Sequence, residues 1–145
     1  MFRKILLLLP ILMLVACGGD SPEIKGENDS PEYKATEFFY AILIEEDLNK
    51  AVNASLPKYG RIIKSYGSTR QFARNILNMR FDEVEIEVDH GSRSVRKRFG
   101  DSAVLNVILH GKHNGNKIAD MRQVKLTKVK GKWYIEKVLD DPFAR

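Results

Sequence analysis

Apolar and polar residues alternate in several distinct rhythms along this chain, and each change of rhythm marks an element. Ile5 to Val15 is an apolar run broken only by Pro10, and Gly18 to Ser30 is nearly without apolar residues. From Pro31 to Leu77 apolar residues recur at the three-to-four spacing of a helix, and after Arg80 they alternate with polar ones as in a strand.

Ser30-Pro31-Glu32 predicts a helix start: serine can cap, proline fits the first helical position, and an acidic residue favours the positive end of the dipole. Ala35, Phe38, Phe39 and Ile42 then form one apolar face. Asp47 is placed to cap a shorter helix carrying Leu48, Ala51 and Val52, and Leu56-Pro57 interrupts it. Tyr59, Ile62, Ile63 and Tyr66 predict another short helix. Ser68-Thr69-Arg70-Gln71 is a capping-box pattern ahead of a buried stripe of Phe72, Ala73, Ile76 and Leu77.

Val84, Ile86 and Val88 interleave with Glu83, Glu85, Glu87 and Asp89, which predicts a strand with one wet face. Ala103 to Leu109 is apolar on both faces except at Asn106, as in a central strand. Asn114-Gly115 is a strong hairpin signal, followed by a strand over about Ile118 to Val129, a Lys130-Gly131 turn and a last strand from Trp133 to Leu139. Ser92 to Phe99 either continues the first strand past a bulge at Gly91 or is loop. Helices first and an antiparallel meander second give the α+β class, with N-terminal helices packed on a sheet of about four strands.

This order, with Val124-Lys125-Leu126 followed by Lys130-Gly131-Lys132-Trp133-Tyr134-Ile135, resembles the nuclear transport factor 2-like (cystatin-like α+β) superfamily. The likeness covers about Pro31 to Leu139. It implies helices packed into a curved antiparallel sheet to form a cone, in residues 31–145. The strand ending is similar to that of small bacterial lipoproteins with lumazine-binding-like domains.

The N-terminus joins a basic start, Arg3-Lys4, to a short apolar segment and a small residue, Ala16, as export signals do. As a helix, Ile5 to Ala16 covers about 18 Å against a hydrocarbon core of about 30 Å, too short for a stable span. Leu14-Val15-Ala16-Cys17-Gly18 resembles the bacterial lipobox. That resemblance implies cleavage after residue 16, diacylglycerol on the Cys17 thiol, and partnership with a membrane through that lipid. Two or more acyl chains convert weak adsorption into stable anchoring. Gly18, where an aspartate would retain the protein in the inner membrane, implies the outer membrane, facing the periplasm, in a Gram-negative host. Residues 17–30 then read as acylated cysteine and flexible tether.

Hydrophobic residues make up 43% and charged residues 30% of the 145, enough for one folded core. The single cysteine precludes an internal disulfide. The net charge is +5; without Arg3 and Lys4 it is +3, too mild for a nucleic-acid binder, so no nucleic-acid partner is expected.

Candidate chemistry is sparse. Relatives of the superfamily include isomerases, dehydratases and hydrolases with Asp, His and Tyr in the cone, which points to Tyr40, Tyr66, Asp120 and Arg122 as possible pocket residues. Asp120 and Arg122 are two apart on a strand and so share a face. His110 and His113 lead into the hairpin tip with no carboxylate or third histidine at ligand spacing, and no metal or cofactor is expected. Arg93, Arg96, Lys97 and Arg98 are the densest basic run, either a solvated loop or a contact for anionic lipid or an acidic partner. Phe38, Phe39, Phe72 and Trp133 are expected in the core. The leading expectation is a non-enzymatic, membrane-tethered module that binds a small apolar ligand or a protein. The alternatives are a pocket enzyme and an immunity or inhibitor protein.

Overall fold

The computed structural model describes residues 28–89 and 97–139. Cys17, Arg93 and Arg96 therefore lie outside the described residues, as does most of the ambiguous Ser92 to Phe99 segment. Four helices come first: α1 (Pro31–Leu43), α2 (Leu48–Asn53), α3 (Pro57–Ser65) and α4 (Thr69–Asn75). Five strands follow: β1 (Glu83–Val88), β2 (Lys97–Phe99), β3 (Ser102–His113), β4 (Asn116–Val129) and β5 (Lys132–Val138). This is the α+β order expected, and no helix among the described residues is long and apolar enough to cross a membrane.

The helix starts follow their capping residues. Ser30 Oγ accepts the Tyr33 amide at 3.1 Å, and Asp47 Oδ1 accepts that of Lys50 at 3.0 Å. Ser68 Oγ accepts the Gln71 amide at 3.2 Å, while the Gln71 side-chain Oε1 accepts from Asn75 Nδ2 instead of reaching back to the cap. Each cap satisfies a backbone donor that the helix itself leaves open.

The sheet is antiparallel in the order β1-β3-β4-β5, and β2 pairs with β3 alongside β1. Both hairpins of the meander turn on two residues at positive φ: Asn114 (50°) with Gly115 (79°), and Lys130 (49°) with Gly131 (81°). That geometry matches the twist of the strands it joins. The outer edge of β5 is closed by the link between α2 and α3. The Leu56 amide donates to the Ile135 carbonyl at 2.8 Å, and the Ile135 amide to the Ala54 carbonyl at 2.9 Å.

One face of the sheet carries Ala103, Leu105, Val107, Leu109, Val124, Leu126, Trp133 and Ile135, all buried. α1 lies over this face and contacts β1, β3, β4 and β5, burying Ala35, Phe38, Phe39 and Ile42. An aromatic chain runs through the helical layer. Phe38 meets Phe39 edge-on at 5.4 Å, Tyr59 lies 6.3 Å from Phe38, and Phe72 lies 5.9 Å from both Tyr59 and Tyr66. The space between helices and sheet is thus filled by side chains. The opposite face is wet along β1, where Glu83, Glu85 and Glu87 are exposed.

Two residues of the expected apolar stripes point outward: Ile62 is 41% and Ile76 44% exposed. α4 stops at Asn75, and the backbone beyond Ile76 turns so that Leu77 enters the core in its place.

Tyr59 is buried, and its hydroxyl oxygen accepts the Val138 amide at 3.3 Å. Burial pushes its pKa up to about 12, the amide only partly opposing this. With an unfolded value of about 10, the neutral hydroxyl's contribution is complete below pH 10 and is lost as pH rises toward 12. Chemical denaturation of Tyr59→Phe should show a loss of about 1 kcal/mol at neutral pH. The same series should show a shallower decline between pH 10 and 12 than the parent, and parallel declines would contradict the assignment.

Candidate functional site

The main concavity is a groove of about 1100 Å³ at the end of the molecule where α1 finishes. Four segments meet there: the C-terminal turn of α1 with Tyr40, Leu43 and Ile44; α4 with Arg70, Ala73 and Arg74; the connection from Met79 to Asp82; and the start of β1 with Glu83, Val84 and Glu85. Leu43, Phe81 and Val84 are half-buried and Met79 is buried, so the floor is apolar. Arg70 and Arg74 come from α4 and Arg80 from the connection, with Asp82 at the strand start; the Glu83 and Glu85 carboxylates stand on the other face of the sheet, Glu83 paired with Lys112 at 2.9 Å. Arg70 Nη2 is 2.7 Å from Glu46 Oε1 across the helical rim.

Phe81 sits where it does because Gly111 has no side chain. A Cβ at Gly111 would stand 2.6 Å from Phe81 Cδ1 and 2.2 Å from the Glu83 carbonyl oxygen, closer than packing allows. Asp82 fixes the neighbouring hairpin tip. Its amide donates to the Lys112 carbonyl at 2.7 Å, and its Oδ2 accepts the Asn114 amide at 2.6 Å. His113 lies at the same end, its Nδ1 3.7 Å from Asp82 Oδ1. No cluster of three metal-ligating side chains occurs among the described residues.

Of the four residues singled out from the sequence as pocket candidates, Tyr40 lines this groove, and Tyr66, Asp120 and Arg122 do not. Tyr66 stands at the end of α3 against the Phe72 ring. Asp120 and Arg122 do share a face of β4 and are brought together, with Arg122 Nη1 2.8 Å from Asp120 Oδ1. Arg122 is 8% exposed, and its Nη2 donates to the Leu77 carbonyl at 3.1 Å. The guanidinium thus ties the segment beyond α4 to the sheet, and it satisfies a carbonyl the helix end cannot. Lys97 and Arg98 lie on β2, in register with Val104 and Ala103. The groove itself escaped the sequence because its walls come from four segments; Tyr40 was its one residue singled out as a pocket candidate.

Arg122→Ala should cost about 1–3 kcal/mol in denaturant unfolding, since it removes a charged donor from half-buried Asp120 and from the Leu77 carbonyl. Arg122→Lys should recover only part of that, because one ammonium cannot reproduce the forked contact to Asp120 and Leu77. Equal stability of Arg122→Ala and the parent would refute the role.

No protein-family model matches the chain, and no curated protein matches it either. Solved structures do. A SEC-C motif containing protein from Rhodopseudomonas palustris superposes with a TM-score of 0.58 at 15% identity, over 79% of this chain and 80% of that one. A designed nuclear transport factor 2-like protein superposes with a TM-score of 0.52 at 13% identity, over 77% of this chain and 97% of that one. At these identities the likeness is one of architecture, and the chain has the nuclear transport factor 2-like α+β fold.

Proposed function

We propose that this chain is a lipid-anchored interaction module of the cell envelope, non-enzymatic, that holds a segment of a partner protein in the groove between α1, α4 and β1. The observation carrying the binding half is the filled interior. Phe38, Phe39, Phe72 and Trp133 occupy the space between helices and sheet, so recognition falls to the outer groove and not to an enclosed chamber. An apolar floor beside Arg70, Arg74 and Arg80 suits an extended segment with an apolar anchor and a flanking acidic residue. The anchoring half rests on Leu14-Val15-Ala16-Cys17 at the end of a short apolar run, and on a following Gly18 compatible with the outer membrane. The Lys130 to Ile135 strand ending agrees with small lipoproteins of the lumazine-binding-like kind.

A buried small-ligand enzyme is disfavoured by the same packing, because the Arg122 guanidinium is engaged by Asp120 and by the Leu77 carbonyl.

In cells, Cys17→Ser should move the protein out of the membrane fraction, and the parent's mature N-terminal peptide should carry diacylglycerol on sulfur. An unmodified thiol by mass spectrometry would end the anchoring reading. A photo-crosslinker at Ile44, exposed on the groove rim, should give a discrete adduct that a crosslinker at His110 on the outer face does not. Arg74→Glu should weaken that capture about tenfold. Equal adducts from both positions would remove the groove from the proposal.

A further inference from the structure

The groove lies at one end of the long β4 strand. The other end, about 45 Å away for fourteen residues at strand rise, is built quite differently. There the β4–β5 turn presents Lys128, Val129, Lys130 and Lys132, with Lys130 and Lys132 exposed and Val129 41% exposed. None of these three lysines makes an ion pair among the described residues; Lys128 instead sits 5.7 Å from the centre of the Trp133 ring. Among the described residues nearby carboxylates are few: Asp29 shares a hollow with Lys130 and Lys132, and Asp101 lies on the adjoining turn, its carbonyl accepting the Lys128 amide at 2.7 Å. Glu136 is already engaged by Lys125 and Thr127.

Two further features converge on this end. The hollow is also lined by Asn28, Asp29 and Ser30, so the chain enters the folded domain beside the lysine turn. The register of β2 places Lys97 and Arg98 on the strand that ends opposite Ser102, whose other neighbour is Thr127. Sequence distance also limits separation from the anchor. Cys17 to Asp29 is thirteen residues, which span at most about 45 Å when fully extended.

We infer that the lysine-bearing β4–β5 turn is a docking surface for anionic lipid headgroups, so that the domain rests on its membrane with this end down and the groove facing away. The inference builds on the lipid-anchoring reading. The anchor confines the domain near the bilayer, so a weak electrostatic contact is sufficient to orient it. Each lysine near an anionic surface favours contact roughly fivefold, and Val129 at the apex offers a small apolar residue to the interface.

The test uses the mature, acylated protein reconstituted into vesicles of phosphatidylcholine alone or mixed with phosphatidylglycerol. Lysine reactivity toward a water-soluble amine reagent is read by mass spectrometry, with Lys112 and Lys117 at the far hairpin as internal controls. Lys130 should react about fivefold more slowly on the anionic vesicles only, and 1 M salt should abolish the difference. Lys128→Glu with Lys132→Glu, which leaves Lys130 as reporter, should restore full reactivity while the circular dichroism stays that of the parent. Equal Lys130 reactivity on both vesicles, with the acyl mass present, overturns the inference and leaves the anchoring intact. Shielding seen in native membranes but not on protein-free anionic vesicles assigns the turn to an acidic partner protein and also overturns it. A mature chain lacking the acyl mass sinks the anchoring, and the orientation with it.

Discussion

A sheet with one apolar face is unstable in water until something covers that face. Here the cover is α1, which lays Ala35, Phe38, Phe39 and Ile42 across four strands at once. A single phenylalanine taken fully out of water contributes about 1.5–3 kcal/mol, a sizeable part of the net stability of a domain this small. α2, α3 and α4 are too short to persist alone, and they gain their order by adding Ala51, then Tyr59 and Ile63, then Phe72 to the layer that α1 begins. The buried Arg122 belongs to the same scheme, since it fastens the end of that helical layer to the sheet.

The same covering decides where recognition can occur. Side chains large enough to satisfy the sheet also consume the interior, so among the described residues concave surface survives at the borders of the packing, as where α1 runs out and β1 begins. The groove is a boundary effect of the packing, where the arginines of α4 and the following connection meet the edge of β1. Gly111 matters to this boundary out of proportion to its size, because the volume it gives up is taken by Phe81 and the Glu83 backbone.

Much of this was legible in local sequence. Ser30, Asp47 and Ser68 mark helix starts because a cap is a contact between residues three apart. Asn114-Gly115 and Lys130-Gly131 mark turns because left-handed backbone restricts what can stand there. What local pattern could not supply depends on distant partners. Ile76 fits a helical stripe on paper, but α4 ends at Asn75 and the chain's next direction sends Leu77 inward, while in α3 it is Ile63 that is buried and its neighbour Ile62 that faces out. Asp120 and Arg122 could be placed on one face, yet the burial of Arg122 follows from a carbonyl 45 residues away in the chain. The groove needed four segments to meet, and nothing in any one of them announces the others.

The closure of β5 by the Ala54 to Leu56 link has a consequence for how copies of this protein behave when crowded. The outward amide and carbonyl of Ile135 are already spoken for, and the Val138 amide is held by Tyr59. β1, at the opposite border, has β3 as its strand neighbour. A foreign strand pairing with β5 at Ile135 would therefore first have to displace Ala54 and Leu56, so the fold guards this border against edge-to-edge growth.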